Sequence, residues 1–463
     1  MVVLNLNDSV LKDKKHIHFI GIGGSGMYPL AQILHAQGYY LTGSDNNPTD
    51  TLDRIQEMGI PVMLGQRAEN IKGADLIVHT AAIMADNEEL IAAKASGVPV
   101  LERSDLLGIL TGHFQNTICV SGTHGKTTTS SMLTQIMMDA KADPTVVIGG
   151  KLHTIGGSGR IGKSENMICE ACEFMDHFLK LKPDISLILN IDEDHMEYFK
   201  TLENLIASFR TFAGNAQKFA VVNGDDPNTR CAVRGLEKPV VTFGLSDAND
   251  YYPQNITILD GVHSRFELMH KGSRLTEIDV FVPGQHNVLN AVAACACAVE
   301  SGIKPELLNL GMSNFKGACR RFEVLDQING ITVVDDYGHH PAEIKVTLEA
   351  AKSMNFKRVI AVHQPFTYSR TARLLDDFAK VLSIADLTIL SEIMGSREKN
   401  TIGIYTKDLA EKIPGCVWFP EFEEISDYVV SIARPGDIII TLGCGDVNKC
   451  AHLITEKLKR KNR

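Results

Sequence analysis

The sequence holds no long hydrophobic run. Nowhere do about 18 uncharged apolar residues follow one another, so no segment is expected to span a membrane. Net positive charge is missing too. Forty-six Lys+Arg stand against 56 Asp+Glu, a formal charge of −10, which argues against a nucleic-acid binder relying on bulk positive charge. The opening stretch, MVVLNLNDSVLKDKKHIHFIG, has no charged segment leading a long apolar stretch to a cleavage site, so it is not read as a secretory signal. The ten cysteines lack the spacing of a small disulfide framework. Cys295 and Cys297 fall in the run NAVAACACAVE, which reads as a buried helix, and thiols of a cytoplasmic protein are expected. Internal repeats and low-complexity segments are also lacking. One tryptophan, Trp418, against 38 glycines suits a large α/β enzyme with many strand-to-helix turns. At about 150 residues per domain, 463 residues give about three domains.

Strand and helix patterns alternate along the first segment. His16–Ile20 reads as a strand, Tyr28–Gln37 as a helix, and Tyr39–Leu41 as a second strand before Gly43-Ser44-Asp45. Helix Asp50–Met58 and strands Pro61–Met63 and Leu76–His79 follow, the signature of βαβ units on a parallel sheet. A polar turn at Thr111-Gly112-His113 precedes a new strand, Thr117–Val120. The second segment has strands Asn166–Cys169 and Ile185–Leu189, a β-rich stretch over Asn249–Pro283, and the alanine-rich helix from about Val288. Asn314–Arg321 reads as a hinge-like connection. Beyond it, strands Ile331–Val334, Arg358–Val362, Leu387–Leu390 and Asp437–Thr441 alternate with helical stretches, and the basic tail LITEKLKRKNR reads as a solvated helix end. The fold class is therefore α/β in three domains, 1–113, 114–318 and 319–463. The first and third are Rossmann-like, and the middle one is built around a phosphate loop.

That loop is Gly122-Thr123-His124-Gly125-Lys126-Thr127-Thr128, entered by a strand and left by a helical run, Ser131–Met138. Glycines let the backbone wrap a phosphate chain, and loop amides with the helix N-terminus supply partial positive charge. Lys126 is placed to reach the β- and γ-phosphates, and the Thr127 hydroxyl to complete a Mg²⁺ shell. Val120 stands where the full GxxxxGK[ST] pattern has glycine. The loop is read as a nucleoside triphosphate site, with ATP and Mg²⁺ as cofactors.

Gly21-Ile22-Gly23-Gly24-Ser25-Gly26 matches GxGxxG between a strand and a helix, and Asp45 ends the next strand. The loop says only that a diphosphate can lie on a helix N-terminus. NAD and a nucleotide-diphosphate sugar satisfy it equally. Glu173, in Glu170-Ala171-Cys172-Glu173, and His195, in Asn190-Ile191-Asp192-Glu193-Asp194-His195, follow two strands of the second segment. At the carboxyl ends of parallel strands both can face the phosphate loop, to hold a second Mg²⁺ or orient an acceptor. Asn287 and Asn290 stand at the start of the alanine-rich helix. Asn287 suits an N-cap, and either amide matches the donor–acceptor edge of adenine. Arg320, Arg321 and Arg370 are forks suited to phosphate or carboxylate. Asp335-Asp336-Tyr337-Gly338-His339-His340-Pro341, straight after a strand, reads as a site.

Taken together, residues 122–128, Glu170–Glu173, Asn190–His195, Gly284–Asn290 and Arg320-Arg321 are similar to motifs of the ATP-dependent Mur ligases of peptidoglycan synthesis. The resemblance covers essentially the whole chain in order. Gly21–Met27, Asp335–Pro341 and Gln364–Thr371 resemble the branch of the family that adds the first amino acid. This resemblance implies ligation of L-alanine to the carboxylate of UDP-N-acetylmuramate. The carboxylate attacks the γ-phosphate of ATP, and the amine then attacks the acyl phosphate. It further implies that Lys126, Thr127, Glu173 and His195 neutralise charge with two Mg²⁺, and that Asn290, with Asn287 beside it, holds adenine. Gly23, Gly24, Ser25, Gly26 and Asp45 would serve the UDP-sugar. Arg370 would pair with the alanine carboxylate, Tyr337 and His339 would line the acceptor pocket, and Arg320 and Arg321 would reach the phosphate on domain closure. Related ligases that add later residues carry a carbamylated lysine about 15 residues after the Asp-His histidine, where this chain has Arg210, so a carbamate ligand is not expected. The runner-up is a ligase that recycles a preformed tripeptide onto the same sugar. An NAD-dependent dehydrogenase leaves Lys126, Thr127 and Glu173 without a role. The partners expected are small molecules, not nucleic acid or membrane, and the chain is expected to be a monomer or weak homodimer.

Overall fold

The computed structural model describes Leu4, Leu6 and residues 10–259, 263–396 and 398–461. Part of the opening stretch, three residues of the β-rich stretch and the last two of the basic tail lie outside them. Among the described residues three sheets form in succession, and no helix is long and apolar enough to cross a membrane.

The first sheet contains β1 (His16–Ile20), β2 (Tyr40–Asp45), β3 (Val62–Leu64), β4 (Leu76–His79) and β5 (Val100–Glu102), in the order β3-β2-β1-β4-β5. All its pairings are parallel. Apolar strands such as β1 are buried because helices cover the faces of a parallel sheet. Helix Tyr28–Ala36 buries Leu30, Ala31, Ile33 and Leu34, and helix Asp50–Glu57 is capped by Thr49 with Asp50 and Asp53 in its first turn. The second strand runs on through Asp45 instead of ending near Leu41. A side chain at Gly43 would collide with Ile22, so glycine there lets the glycine loop lie against a continuing strand.

The second sheet contains β6 (Asn116–Ser121), β7 (Thr145–Leu152), β8 (Gly157–Arg160), β9 (Asn166–Glu170), β10 (Ile185–Ile188), β11 (Phe219–Asn223), β12 (Val240–Phe243), β13 (Tyr251–Ile258), β14 (Ser264–His270) and β15 (Ser273–Val280). Its order is β15-β14-β13-β12-β11-β10-β6-β9-β7-β8. The strand β6 lies between β10 and β9, parallel to both. Its C-terminal end, where the phosphate loop begins, is thus flanked by the ends of the strands carrying Asn190 and Glu170. The helix after the loop is Lys126–Asp139, five residues longer at its start than the sequence pattern indicates, because Gly125 enters it in the left-handed conformation (φ 85°). The alanine-rich helix is Gln285–Glu300, with Cys295 and Cys297 fully buried. Asn287 therefore lies inside its first turn and is not the N-cap. Its side-chain amide donates to the Pro283 carbonyl at 2.6 Å.

The third sheet contains β16 (Glu323–Ile328), β17 (Ile331–Asp336), β18 (Arg358–His363), β19 (Leu387–Leu390), β20 (Val417–Trp418) and β21 (Asp437–Leu442), in the order β16-β17-β21-β18-β19-β20. Only the edge strand β16 is antiparallel. The basic tail belongs to helix Asn448–Lys461, whose apolar face buries Ala451, Ile454 and Leu458.

The chain divides into two compact units. The first holds residues up to 256, with 265–280 and 288–315. The second holds 257–264, 281–287 and 316–463.

Candidate active site

In the first unit the phosphate loop is strapped to the end of β10. Asn190 brackets His124, accepting from its amide at 2.8 Å and donating to its carbonyl at 3.0 Å. The Thr123 amide donates to the Asn190 carbonyl at 3.1 Å, and the Thr123 hydroxyl accepts from the Asp192 amide at 2.9 Å. A side chain at Gly122 (φ 138°) would press on Leu189 and Asn190, and one at Gly125 would lie 2.7 Å from the Asn290 amide oxygen. Asn190 and Asp192 thus fix the backbone of the loop, and a fixed backbone is the preorganisation that phosphate binding requires. Asn290, expected at adenine, packs its amide directly under Gly125.

Lys126 folds back over the loop, donating to the Thr123 carbonyl at 3.1 Å and to both oxygens of Glu173 at 3.0 Å. Burial alone would lower the Lys126 pKa, but Glu173, Cys172 and Glu170 outweigh it, and the ammonium is held above its ordinary value. Thr127 meets a different carboxylate. Its hydroxyl donates to Glu170 at 3.0 Å, and the other approach is 3.2 Å. Glu170 also accepts from the Gly149 amide at 2.9 Å, and side chains at Gly149 or Gly150 would collide with Glu170 or Thr127. Two carboxylates therefore divide the work that the sequence assigns to Glu173: Glu173 reaches the loop through Lys126, and Glu170 faces Thr127. Hydroxyl and carboxylate side by side at the loop form the hard-oxygen donor set that suits Mg²⁺.

His195 takes a left-handed backbone (φ 55°) and lays its ring on Phe174, with centroids 4.6 Å apart. Its nitrogens lie 3.8 Å from Asp194 and 3.5 Å from Glu197, so among the described residues its polar partners belong to its own turn and not to the phosphate loop. Arg210 donates to the carbonyls of Arg234 and Cys231 at 2.7 and 2.8 Å. It ties down the end of a neighbouring helix.

The glycine loop is braced by β2. The Gly23 amide donates to one Asp45 oxygen at 3.0 Å, while the other accepts from the Asn46 and Asn47 amides. The Gly24 amide closes a turn onto Gly21, and the Ser25 carbonyl accepts from the Ser158 hydroxyl at 2.9 Å. A side chain at Gly26 would lie 3.0 Å from Arg103. Arg103 is half-buried against the loop, and among the described residues its guanidinium has no hydrogen bond or ion pair. Sequence reasoning left it unassigned. The available signal was its place immediately after β5, at the carboxyl edge of a parallel sheet, where ligands bind.

In the second unit the polar turn after β17 is built by its aspartates. Asp336 accepts from the Gly338 and Phe322 amides at 2.8 Å, and Asp335 accepts from the Arg320 Nε at 2.8 Å. Burial raises the pKa of both carboxyls against these partners. Arg320 also donates to the Gly443 and Gly445 carbonyls at 2.6 and 2.9 Å. Its donors are committed to joining the ends of β17 and β21, so the phosphate role expected of Arg320 gives way to a structural one. Arg321 lies over the Tyr337 ring at 5.4 Å and 3.9 Å from Glu343. His339 Nδ1 donates to the Tyr337 carbonyl at 3.1 Å, with Glu343 3.4 Å away. Burial lowers the His339 pKa, Glu343 opposes this, and the Arg370 charge adds to the lowering. Arg370 sits in helix Tyr368–Arg373, and among the described residues its guanidinium has no hydrogen bond or ion pair. Arg370 is half-buried, and its charge is felt at His339; a guanidinium with free donors is a fork suited to a carboxylate.

Three family models match the chain in succession: "Mur ligase family, catalytic domain" over residues 16–115, "Mur ligase middle domain" over 120–298, and "Mur ligase, glutamate ligase domain" over 320–445. The UDP-N-acetylmuramate–L-alanine ligase of Agathobacter rectalis is 44% identical over 93% of this chain and 96% of that protein. Its namesake from Caldanaerobacter subterraneus subsp. tengcongensis is 41% identical over 97% and 99%. Among solved structures, the UDP-N-acetylmuramate–alanine ligase of Thermotoga maritima matches with a TM-score of 0.83 and 25% identity, covering 97% of this chain and all of that one. A murein peptide ligase from Psychrobacter arcticus matches with a TM-score of 0.73 and 22% identity over 96% and 98%. The chain belongs to the Mur ligase family.

Proposed function

We propose that this chain joins L-alanine to the carboxylate of UDP-N-acetylmuramate at the expense of ATP, in peptidoglycan precursor synthesis. The observation that carries the reading is full-length identity of 41–44% to ligases of that name. The tripeptide alternative has a structural neighbour named for that substrate at 25% identity, with a TM-score of 0.60 over 66% of this chain, against 0.83 over 97% for the alanine ligase. The unmatched Arg370 also suits the carboxylate of a compact zwitterion.

The chemistry follows from the residues. ATP is held with its phosphates on Gly122–Thr128, and Lys126 exchanges Glu173 for the γ-phosphate. Thr127 and Glu170 would hold Mg²⁺, and Glu173 and His195 would serve a second ion. The metal supplies charge neutralisation for phosphoryl transfer. The muramoyl carboxylate takes the γ-phosphoryl group and ADP leaves. The L-alanine amine then attacks the acyl phosphate and phosphate leaves. Asn290, packed against Gly125, serves the nucleotide. The UDP moiety lies on Gly23–Gly26, with Asp45 bracing the loop and Arg103 facing the diphosphate. Arg370, Tyr337 and His339 receive the amino acid.

The test is mass analysis of the product formed from UDP-N-acetylmuramate, ATP, Mg²⁺ and isotopically labelled L-alanine. The label in an amide of the nucleotide sugar, with one ADP per product, is the expected result. No label in the nucleotide sugar, with ligation seen only when a preformed L-alanyl tripeptide is supplied instead, overturns the reading.

A further inference from the structure

Behind the glycine loop runs a line of polar side chains that no step above uses. His18 on β1, and Glu89 in helix Glu88–Ala95, are both 0% exposed, and His18 Nε2 lies 2.7 Å from a Glu89 oxygen. The other Glu89 oxygen accepts from the Ser44 hydroxyl at 2.6 Å. On its far side His18 Nδ1 lies 2.7 Å from the Thr42 hydroxyl, which lies 2.8 Å from His16 Nε2. His16 Nδ1 donates to the Gly73 carbonyl at 2.8 Å. Every group in the line thus has a hydrogen-bond partner. The Asn87-capped helix N-terminus adds partial positive charge beside the carboxylate.

A buried acid–imidazole pair is a poor device for stability alone, since well-packed apolar residues do that better. Its position offers another role. Ser44, itself 0% exposed, is the hub of the glycine loop: its carbonyl accepts from the Gly21 amide at 2.8 Å and the Ile22 amide at 3.0 Å. The next residue, Asp45, takes the Gly23 amide at 3.0 Å. Three successive loop amides are thus registered to two residues of β2, and the first of these is tethered to Glu89. We propose that Glu89 is a positioning residue of the Gly21–Gly26 loop, acting through Ser44 to hold it in the shape that takes the diphosphate of the nucleotide sugar. Loss of the tether lets Ser44 shift within the strand, and displacements well under 1 Å are enough to spoil a preorganised anion site. The inference rests on the UDP-sugar reading of that loop.

The experiment is calorimetric binding of UDP-N-acetylmuramate and, separately, of a non-hydrolysable ATP analogue with Mg²⁺, to the full chain and to Ser44→Ala, Glu89→Ala and Glu89→Gln. Ser44→Ala and Glu89→Ala are expected to weaken UDP-sugar binding about tenfold, the scale for losing an outer-layer hydrogen bond to a binding group, with ATP-analogue binding unchanged. Glu89→Gln, which offers an acceptor to Ser44 and a donor to His18, recovers most of the loss. Ser44→Ala leaves the His18–Glu89 pair in place and carries the test if Glu89→Ala does not fold. Unchanged UDP-sugar binding in Ser44→Ala, or equal weakening for both ligands, overturns the proposal. A wild-type chain that does not bind UDP-N-acetylmuramate overturns the reading of the loop, and the proposal with it.

Discussion

The Lys126 ammonium lies 3.0 Å from both carboxylate oxygens of Glu173, whose side chain is almost wholly buried. On the proposed function, the γ-phosphate would take the place of Glu173 as the charge partner of this lysine. Lys126→Ala is expected to abolish ligation while leaving UDP-sugar binding near normal. It also leaves Glu173 buried without its partner, at a cost of about 3 kcal/mol in stability. Adding Glu173→Gln should restore thermal stability without restoring turnover. Retained turnover in Lys126→Ala, measured by ADP release, contradicts this account of the loop.

Glu170, and not Glu173, shares its oxygens with Thr127. Glu170→Gln should raise the Mg²⁺ concentration giving half-maximal rate about tenfold or more, with a smaller change in the KM for L-alanine. A titration of rate against Mg²⁺ at fixed ATP checks this. An unchanged Mg²⁺ requirement would assign Glu170 to bracing the Gly149 turn alone.

Arg370 stands as an unmatched cation in the second unit. Arg370→Ala should raise the KM for L-alanine by about ten- to a hundredfold, the worth of a charge-assisted hydrogen bond, and far more than the KM for ATP. A parallel rise in both would place Arg370 in the fold or in closure.

His363 on β18 is 0% exposed, and burial pushes its pKa down to about 4 from an ordinary 6.5. The unfolded chain takes up a proton near pH 6.5, and the folded chain does so only near pH 4. The stability linked to this group is therefore complete above pH 6.5 and is lost as pH falls through that window, at most about 3 kcal/mol. His339 is shifted in the same direction. The thermal midpoint should fall between pH 6.5 and 4. His363→Asn, whose amide can still donate to the Leu442 carbonyl, should make the fall shallower. An equal slope in both proteins would contradict the assignment.

What was legible in the sequence had local causes. The strand–loop–helix around Gly-Lys-Thr formed where the pattern placed it, and alternating strand and helix patterns marked three α/β parts. The parallel order of the first sheet follows from the same alternation. What was not legible depended on contacts distant in sequence. Glu170 and Glu173 are three residues apart in one motif, and only the placement of β9 beside β6 shows which faces Thr127 and which faces Lys126. Arg320 looked like a phosphate ligand because a guanidinium's composition does not reveal that its donors are taken by residues more than a hundred positions away. Asn287 was one turn out because the helix starts at Gln285. Glu89 carried no signal at all, since its partners come from two strands far back along the chain.

The central claim is tested most directly by phosphate release with ATP, Mg²⁺ and UDP-N-acetylmuramate, adding L-alanine, glycine, L-serine or the tripeptide in turn. Release driven best by L-alanine, and absent without the nucleotide sugar, is the predicted result. Release driven only by the tripeptide would keep the fold and the ATP site and contradict the proposed acceptor.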